Sequence, residues 1–320
     1  MAFNQSDTPL HIVVLAGGDS PERAVSLRSG AAVAAALLEA GHRVMQIDPG
    51  EISLEAVDWS DCDACFIALH GGAGEDGRVQ QQLEHLGVPY TGSGPVVCRL
   101  AMSKSAAKRR FVARGVPTLD WIVTDAYELA HDDPATWLAK RVAPLGYPLI
   151  VKPDGQGSSL GITIVSSPAE LSAAIAAAKR FDERSLIEPY VVGREFTVAL
   201  VDEQALPPIE IVTPERVFSY EAKYQSAATE YRFEFELDQP SRDEILHSAV
   251  AAGRALGAAG LSRVDLMLGG DGRVWVLELN TVPGMTARSL APLAAARAGL
   301  DMSALCDLLV RRCLSPSGVS

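Results

Sequence analysis

In the segment SRVDLMLGGDGRVWVLELN, residues 262–280, polar and apolar residues alternate on either side of a GGDG turn, which predicts a β-hairpin. Side chains two apart share a strand face, so Arg263 and Asp265 fall together on the first strand and Glu278 and Asn280 on the second. Folding the hairpin back brings Asp265 opposite Glu278 to within about one residue of register. Two carboxylates and an amide oxygen then converge, a hard-cation site of the kind that holds Mg²⁺ between protein and nucleotide phosphates. Each residue has a blander reading as a rim charge in a salt bridge. Two like charges facing each other among VDLML and WVLEL, however, are costly without a cation.

A second constellation lies at DGQGSSLG, residues 154–161. No GK[ST] follows, so it is not a Walker loop; its third glycine is one place late, and a strand follows instead of a helix, so it is not a dinucleotide fingerprint. It offers a glycine-rich hairpin tip with exposed backbone N–H groups and two serines, suited to folding over phosphates. Lys152 ends the apolar run PLIV just before Pro153, which sets an ammonium at the mouth of a buried strand beside that tip. A third lies at GGDSPERAVSLRSG, residues 17–30, where Glu22 and Arg23 lead into a small-residue helix. Glu22 reads either as a ligand for a substrate ammonium or as a carboxylate favoured by the helix dipole, and Arg23 as a structural partner. His70 follows the apolar run ACFIAL and precedes two glycines, facing the same region, whereas His11, His42, His85, His131 and His247 read as surface or packing residues.

The elements that must position these groups follow from periodicity. HIVVLA, RVMQI and ACFIAL are short buried strands, Val25–Ala40 is a helix stopped by Gly41, RVQQQLEHLG is another helix, and PYTGSG is a strand with a turn. Such β–α alternation predicts a parallel sheet covered by helices, with ligands beyond the carboxyl ends of the strands; GGDSPER and HGGAGEDG both fall there. From about Met102 the pattern becomes α+β: helices SKSAAKRRFVARG, PATWLAKRVA and PAELSAAIAAAKR, strands WIVT, PLIVKP, GITIV and SLIEPY, then REFTVALV, a helix from Arg242 to Ala259, the hairpin, and two last helices. The chain of 320 residues exceeds what one core usually supports, and the expected units are residues 1–103, 104–191 and 192–320. A net charge of −12 argues against nucleic acid and anionic membrane as partners. No apolar run reaches the roughly 18 residues a span needs and no secretory pattern opens the chain, so a cytoplasmic protein is expected. Cys62 and Cys65 form a CxxC without a second ligand pair, running into a strand, and read as packing residues.

Taken in order, GGDSPERAVS, ALHGGAGEDG, YTGSG, IVKPDGQGSSLG, LIEPYVVGREFTV, YEAKY, RVDLML and LELNTVPGMT resemble the D-alanine–D-alanine ligases of the ATP-grasp superfamily over roughly Ile12 to Leu308. The resemblance implies a three-domain ATP-grasp fold, mixed α/β and α+β with an N-terminal parallel α/β domain, and ATP held between the second and third domains. It implies ligation of two D-alanines through a D-alanyl phosphate, for peptidoglycan precursors, with ATP and two Mg²⁺ (or Mn²⁺) as cofactors and a monovalent cation left open. Related enzymes are usually dimers, and GAAVAAALLEA offers an apolar interface for a homodimer.

Residue by residue, the resemblance assigns Lys104 and Lys152 to the ATP phosphates, Ser158 and Ser159 to the loop covering them, and Lys223 to the γ-phosphate. Glu188 takes the adenine amino group, with backbone near Val191, and Glu195 the ribose hydroxyls. Asp265, Glu278 and Asn280 are the implied metal ligands, and Arg263 stabilises the tetrahedral intermediate. Glu22, networked with Ser158 and Tyr224, holds the amino group of the first D-alanine near His70, and Gly284, Ser289 and Leu290 bind the second. Pro189 departs from a frequent lysine, Ala24 from a common acidic residue, and QSAATEYRFEFEL carries Glu234 and Glu236 where a proline-containing lid is expected. Competing readings are a ligase of the same fold with D-lactate or D-serine as acceptor, which Tyr224 argues against, and a non-catalytic nucleotide-binding module, which the retention of Arg263, Asp265 and Glu278 argues against. A dinucleotide oxidoreductase is weaker still, because AGGD has only two of the fingerprint glycines.

Overall fold

The computed structural model describes residues 8–125, 134–157, 160–214 and 229–315. Ser158, Ser159, Lys223, Tyr224 and His131 lie outside the described residues.

Strand β1 (His11–Leu15) is the centre of a parallel sheet in the order β2-β1-β3, flanked by β2 (Arg43–Ile47) and β3 (Ala64–Ile67). Its unbroken apolar run is buried on both faces, as parallel strands are. Helix α1 (Arg23–Glu39) follows β1 and packs so closely that a Cβ built on Gly30 would lie 2.2 Å from the Cβ of Ala16. Gly30→Ala should therefore lower stability by about 1–3 kcal/mol, because overpacking outweighs the better helix propensity of alanine; denaturant melts of the two proteins check this. The chain leaves α1 through Gly41, whose φ of +89° suits glycine.

The expected strand at PYTGSG is reduced to a bridge between Tyr90 and Cys65. One residue further on, the Thr91 hydroxyl accepts the Ile67 N–H at 3.2 Å, so a side chain replaces the next rung. Helices α2 (Arg78–Leu86), α3 (Pro95–Met102) and α4 (Lys104–Ala113) come next; Ala101, Ala107 and Phe111 from the last two are buried in the core of the third sheet.

The second sheet, order β4-β7-β5-β6, is antiparallel and comprises β4 (Ile122–Thr124), β5 (Leu149–Pro153), β6 (Thr163–Val165) and β7 (Ser185–Pro189). Helices α5 (Pro134–Val142) and α6 (Pro168–Ala178) cover it with Leu138, Leu171 and Ile175. The third sheet runs β11-β10-β8-β12-β13, with β9 (Gln204–Ala205) on β8; its strands are β8 (Gly193–Val201), β10 (Ile209–Val212), β11 (Glu230–Arg232), β12 (Leu261–Gly269) and β13 (Val274–Asn280). Helix α7 (Gln239–Leu256) lies on one face of it, capped by Asp238 and starting three residues before the predicted position. Helices α8 (Leu290–Arg297) and α9 (Met302–Leu314) share a core with α1, β1 and β3 on the other. The N-terminal sheet is thereby fixed against the third sheet through common apolar packing.

The acidic tract expected in a lid is described from Thr229 onward. Glu234 pairs with Arg297 of α8, and the backbone carbonyl of Glu236 accepts from Arg194 at 2.8 Å.

Candidate active site

The hairpin forms in the register that its alternation predicts. Asp265 of β12 faces Glu278 of β13, Arg263 faces Asn280, and a bulge follows Asp265. The charge bookkeeping differs from the expectation that these facing carboxylates demand a metal. The Arg263 guanidinium makes a fork to Asp265, Nε to Oδ1 and Nη2 to Oδ2, each at 2.9 Å. The Thr197 hydroxyl donates to Asp265 Oδ1 at 2.6 Å, and Lys104 Nζ lies 3.1 Å from Glu278 Oε2. Protein cations already offset both carboxylates, so charge repulsion alone does not call for an ion.

The donor set nevertheless fits one. Asp265 is 4% exposed and Glu278 lines the cleft, so both present hard oxygen atoms to a ligand space. Among the described residues no group of three histidine, cysteine or acidic side chains could enclose a metal. Two carboxylates and the Asn280 amide suit a cation that completes its shell with phosphate and water oxygens.

The cleft between the second and third sheets is open to solvent and holds about 810 Å³, its solvent-filled mouth included. Leu119, Ile150, Ile162, Met267 and Leu277 make an apolar slot, and Lys104, Lys152, Glu188, Val191, Glu195, Asp265 and Glu278 give it polar groups. The sheet and loop that the sequence joined at Lys152 thus meet the hairpin across one space. Lys104 Nζ also donates to the Gln156 carbonyl oxygen at 2.8 Å. The residue preceding the glycine tip anchors this geometry: the Asp154 carboxylate, fully buried, accepts from Ser103 Oγ at 2.9 Å, from Ser105 N at 2.7 Å and from Ser105 Oγ at 3.0 Å. Arg184 adds an ion pair at 2.8 Å. The first turn of α4, which carries Lys104, is tied in this way to the start of the glycine loop.

Glu188 is buried between two ammonium groups, Lys152 on Oε1 and Lys108 at 2.9 Å from Oε2. Burial pushes its pKa up, but the two cations outweigh burial and hold it below the usual carboxylate range. Lys108 is pulled below the usual lysine range by burial, with Glu188 opposing the shift. Sequence reasoning passed over Lys108. The signal was present: Lys104 and Lys108 are four apart on a helix and share a face.

At the N-terminal sheet, Glu22 is 4% exposed and stands at the start of α1 without capping that helix through its side chain. A Cβ on Gly71 would come within 2.7 Å of Glu22 Oε2, so this glycine is required for the carboxylate to lie there. The Ser20 hydroxyl donates to the His70 carbonyl at 2.5 Å and accepts from the Glu22 N–H at 3.1 Å, fastening the two predicted residues together. Arg23 pairs with Asp48 and Glu51, away from His70, as a structural partner.

Two further residues, missed in the sequence, connect this corner to the rest. Ser29 is buried on α1, seven residues and about two turns beyond Glu22. Its Oγ lies 2.8 Å from His70 Nε2 and accepts the Met285 N–H at 3.2 Å. Glu75 Oε1 is 3.8 Å from His70 Nδ1, and a Cβ on Gly157 would be 3.6 Å from Glu75 Oε2. Glu75 thus lies between the glycine loop and His70, and hydrogen bonds through Ser29 connect His70 to the TVPGMT loop. On that loop, Ser289 Oγ accepts from Thr286 N at 3.0 Å, Gly284 lies against the Ser289 hydroxyl, and Leu290 is buried.

Comparison with known proteins agrees with this fold. Residues 111–311 match the family described as D-ala D-ala ligase C-terminus and residues 46–93 the D-ala D-ala ligase N-terminus. A D-alanine--D-alanine ligase of Gloeobacter violaceus is 43% identical over 307 residues, which is 95% of this chain and all of that protein. One from Aromatoleum aromaticum is 45% identical, covering 92% of this chain and 93% of its own length. A crystal structure of D-alanine--D-alanine ligase from Bacillus anthracis complexed with ATP superposes with a TM-score of 0.81 at 32% identity, covering 95% of this chain and 97% of that one. With the sheets, the cleft and the loops arranged as described and both halves of the chain matched, the protein belongs to the D-alanine–D-alanine ligase family.

Proposed function

We infer that the chain joins two D-alanines into D-alanyl-D-alanine, with ATP converted to ADP and phosphate through a D-alanyl phosphate, for peptidoglycan precursors. The observation that carries this reading is the shared setting of two kinds of group. Lysines and carboxylates suited to a nucleotide line one cleft; its glycine loop approaches Glu75, which lies 3.8 Å from His70, and Ser20 and Ser29 tie His70 to Glu22 and to the TVPGMT loop. The relatives compared carry the dipeptide ligase name, which does not favour D-lactate or D-serine as acceptor.

A carboxylate is a poor electrophile until one oxygen can leave as phosphate, and phosphoryl transfer is mainly positioning and charge neutralisation. In this reading Lys104 and Lys152 bind the phosphates together with Ser158, Ser159 and Lys223, and Glu188, Val191 and Glu195 bind the nucleoside. Asp265, Glu278 and Asn280 would hold Mg²⁺ or Mn²⁺, which supplies further neutralisation of the phosphate oxygens. Glu22, with Ser158 and Tyr224, holds the first D-alanine by its ammonium so that its carboxylate oxygen meets the γ-phosphorus. Gly284, Ser289 and Leu290 hold the second, whose amine loses a proton and attacks the acyl carbon; phosphate leaves. Arg263 offsets the negative oxygen of the tetrahedral intermediate.

Glu22→Gln keeps the shape and removes the charge. Losing a charge-assisted hydrogen bond of about 1.5–3 kcal/mol weakens the first D-alanine about 10- to 100-fold, while ATP affinity stays within about twofold. Calorimetry with each ligand separates the two; equal weakening of both would remove Glu22 from the substrate site.

We place the enzyme in the cytoplasm, where ATP is available; among the described residues no helix is long and apolar enough to cross a membrane. A homodimer through α1 is supported by its exposed Leu27 and Leu38, and light scattering tests it. The function itself is tested by phosphate release from ATP and Mg²⁺ with D-alanine, L-alanine, or D-alanine plus D-lactate, products identified by mass. D-alanine alone should give ADP, phosphate and a dipeptide. Phosphate only with another acceptor, or none, overturns the assignment.

A further inference from the structure

The two lysines on Glu188 are held differently. Lys108 is 1% exposed, and besides its ion pair its Nζ donates to Thr118 Oγ1 at 2.8 Å and to the Leu119 carbonyl at 3.0 Å. Two hydrogen bonds and the ion pair together hold this ammonium in place. The Thr118 hydroxyl in turn donates to the Val276 carbonyl at 2.9 Å, so the bracket is fixed to β13. Lys152 lines the cleft, and among the described residues Glu188 Oε1 is its one hydrogen-bonding partner. One ammonium is locked and the other is transferable.

We propose that nucleotide binding moves Lys152 from Glu188 Oε1 to the phosphates, that the vacated oxygen then accepts the 6-amino group of the purine, and that Lys108 is the positioning residue keeping Glu188 charged and in place during the exchange. This deepens the reading of the cleft as an ATP site and rests on it. The exchange follows from what each partner needs. A buried carboxylate that loses one of two cations must keep the other or become an unpaired charge. A phosphate chain gives Lys152 a stronger partner than the one it leaves. The oxygen it leaves needs a donor, which a 6-amino purine has and a 6-oxo purine lacks.

The base and phosphate ends of the nucleotide are thereby coupled, because each favours the same displaced state of Lys152. A nucleoside has no phosphate to draw the lysine away. With Lys152 still on Oε1, its N–H groups can meet a 6-oxo base as well as the carboxylate meets a 6-amino base. Discrimination between amino and oxo purines is therefore a property of the triphosphate.

Calorimetric titration of the full chain with adenosine, inosine, ATP and ITP, without D-alanine, tests this. In the wild type the preference for ATP over ITP should exceed that for adenosine over inosine by at least about tenfold, the order of one charge-assisted hydrogen bond. Lys152→Met should bind ATP about tenfold or more weakly yet bind adenosine several-fold more tightly, since Oε1 is vacant from the start; Lys152→Gln should follow it. Lys108→Met should lose amino-over-oxo preference. A merely structural lysine would not move adenosine and ATP in opposite directions. Equal preferences in the wild type, or adenosine weakened together with ATP in both Lys152 variants, would overturn the proposal. The wild-type comparison stands even if a variant fails to fold. If ATP itself did not bind the wild type, the ATP-site reading would fall first and this proposal with it.

Discussion

Glu278→Gln should reduce turnover by at least about 10³-fold, more than the 10- to 100-fold that loss of an outer-shell partner typically costs a metal site. The substitution keeps volume and hydrogen-bonding atoms and removes one charge. In the structure that charge faces Asp265 across the β12–β13 register and pairs with Lys104 at 3.1 Å. Lys104 keeps its bond to the Gln156 carbonyl, so the fold should stand, with a change in stability near the ~0–1 kcal/mol typical of partly exposed ion pairs. A large loss of rate with an unshifted melt therefore isolates the cation-binding role. Mn²⁺ titration in the presence of a non-hydrolysable ATP analogue gives a readout free of turnover, and affinity should fall at least tenfold. Activity within tenfold of the wild type would show that Glu278 serves only as a partner for Lys104.

The opposition of Asp265 and Glu278 was legible because strand periodicity and a glycine turn are local properties of the chain. The same holds for α1 and its stop at Gly41, and for the placement of Glu22 and His70 beyond strands β1 and β3. What was not legible depended on partners distant in sequence. Lys104 neutralising Glu278 spans 174 residues, the difference 278 − 104, and Ser29 meeting Met285 spans 256. No periodicity reports such contacts. The lone bridge at Tyr90 escaped for a related reason: a side-chain hydroxyl on Thr91 replaced a backbone rung. The partners of the acidic tract, Arg297 for Glu234 and Arg194 for the Glu236 carbonyl, were likewise out of view. Lys108 was within reach of helical spacing, and what hid its importance was that its counterion, Glu188, comes from strand β7 of the second sheet, distant in sequence from helix α4.

Arg263→Lys should lower kcat by about 10²- to 10³-fold, about 3–4 kcal/mol, the range for removing one preorganised donor to a developing oxyanion. Lysine preserves the charge, so the loss is one of geometry. The guanidinium makes two parallel bonds to Asp265 at 2.9 Å each, and Thr197 holds the same carboxylate at 2.6 Å. An ammonium on a flexible stem cannot reproduce that planar fork, and the side chain is only 12% exposed, so little water is at hand to compensate. Because Asp265 remains bound by Thr197, ATP should bind within about tenfold of the wild type. The step affected can be read directly. If Arg263 acts on the tetrahedral intermediate, the acyl phosphate still forms, and hydroxylamine should trap D-alanyl hydroxamate at nearly the wild-type rate while dipeptide falls. If hydroxamate falls as far as dipeptide, Arg263 acts through Asp265 in phosphoryl transfer, and the oxyanion role is excluded.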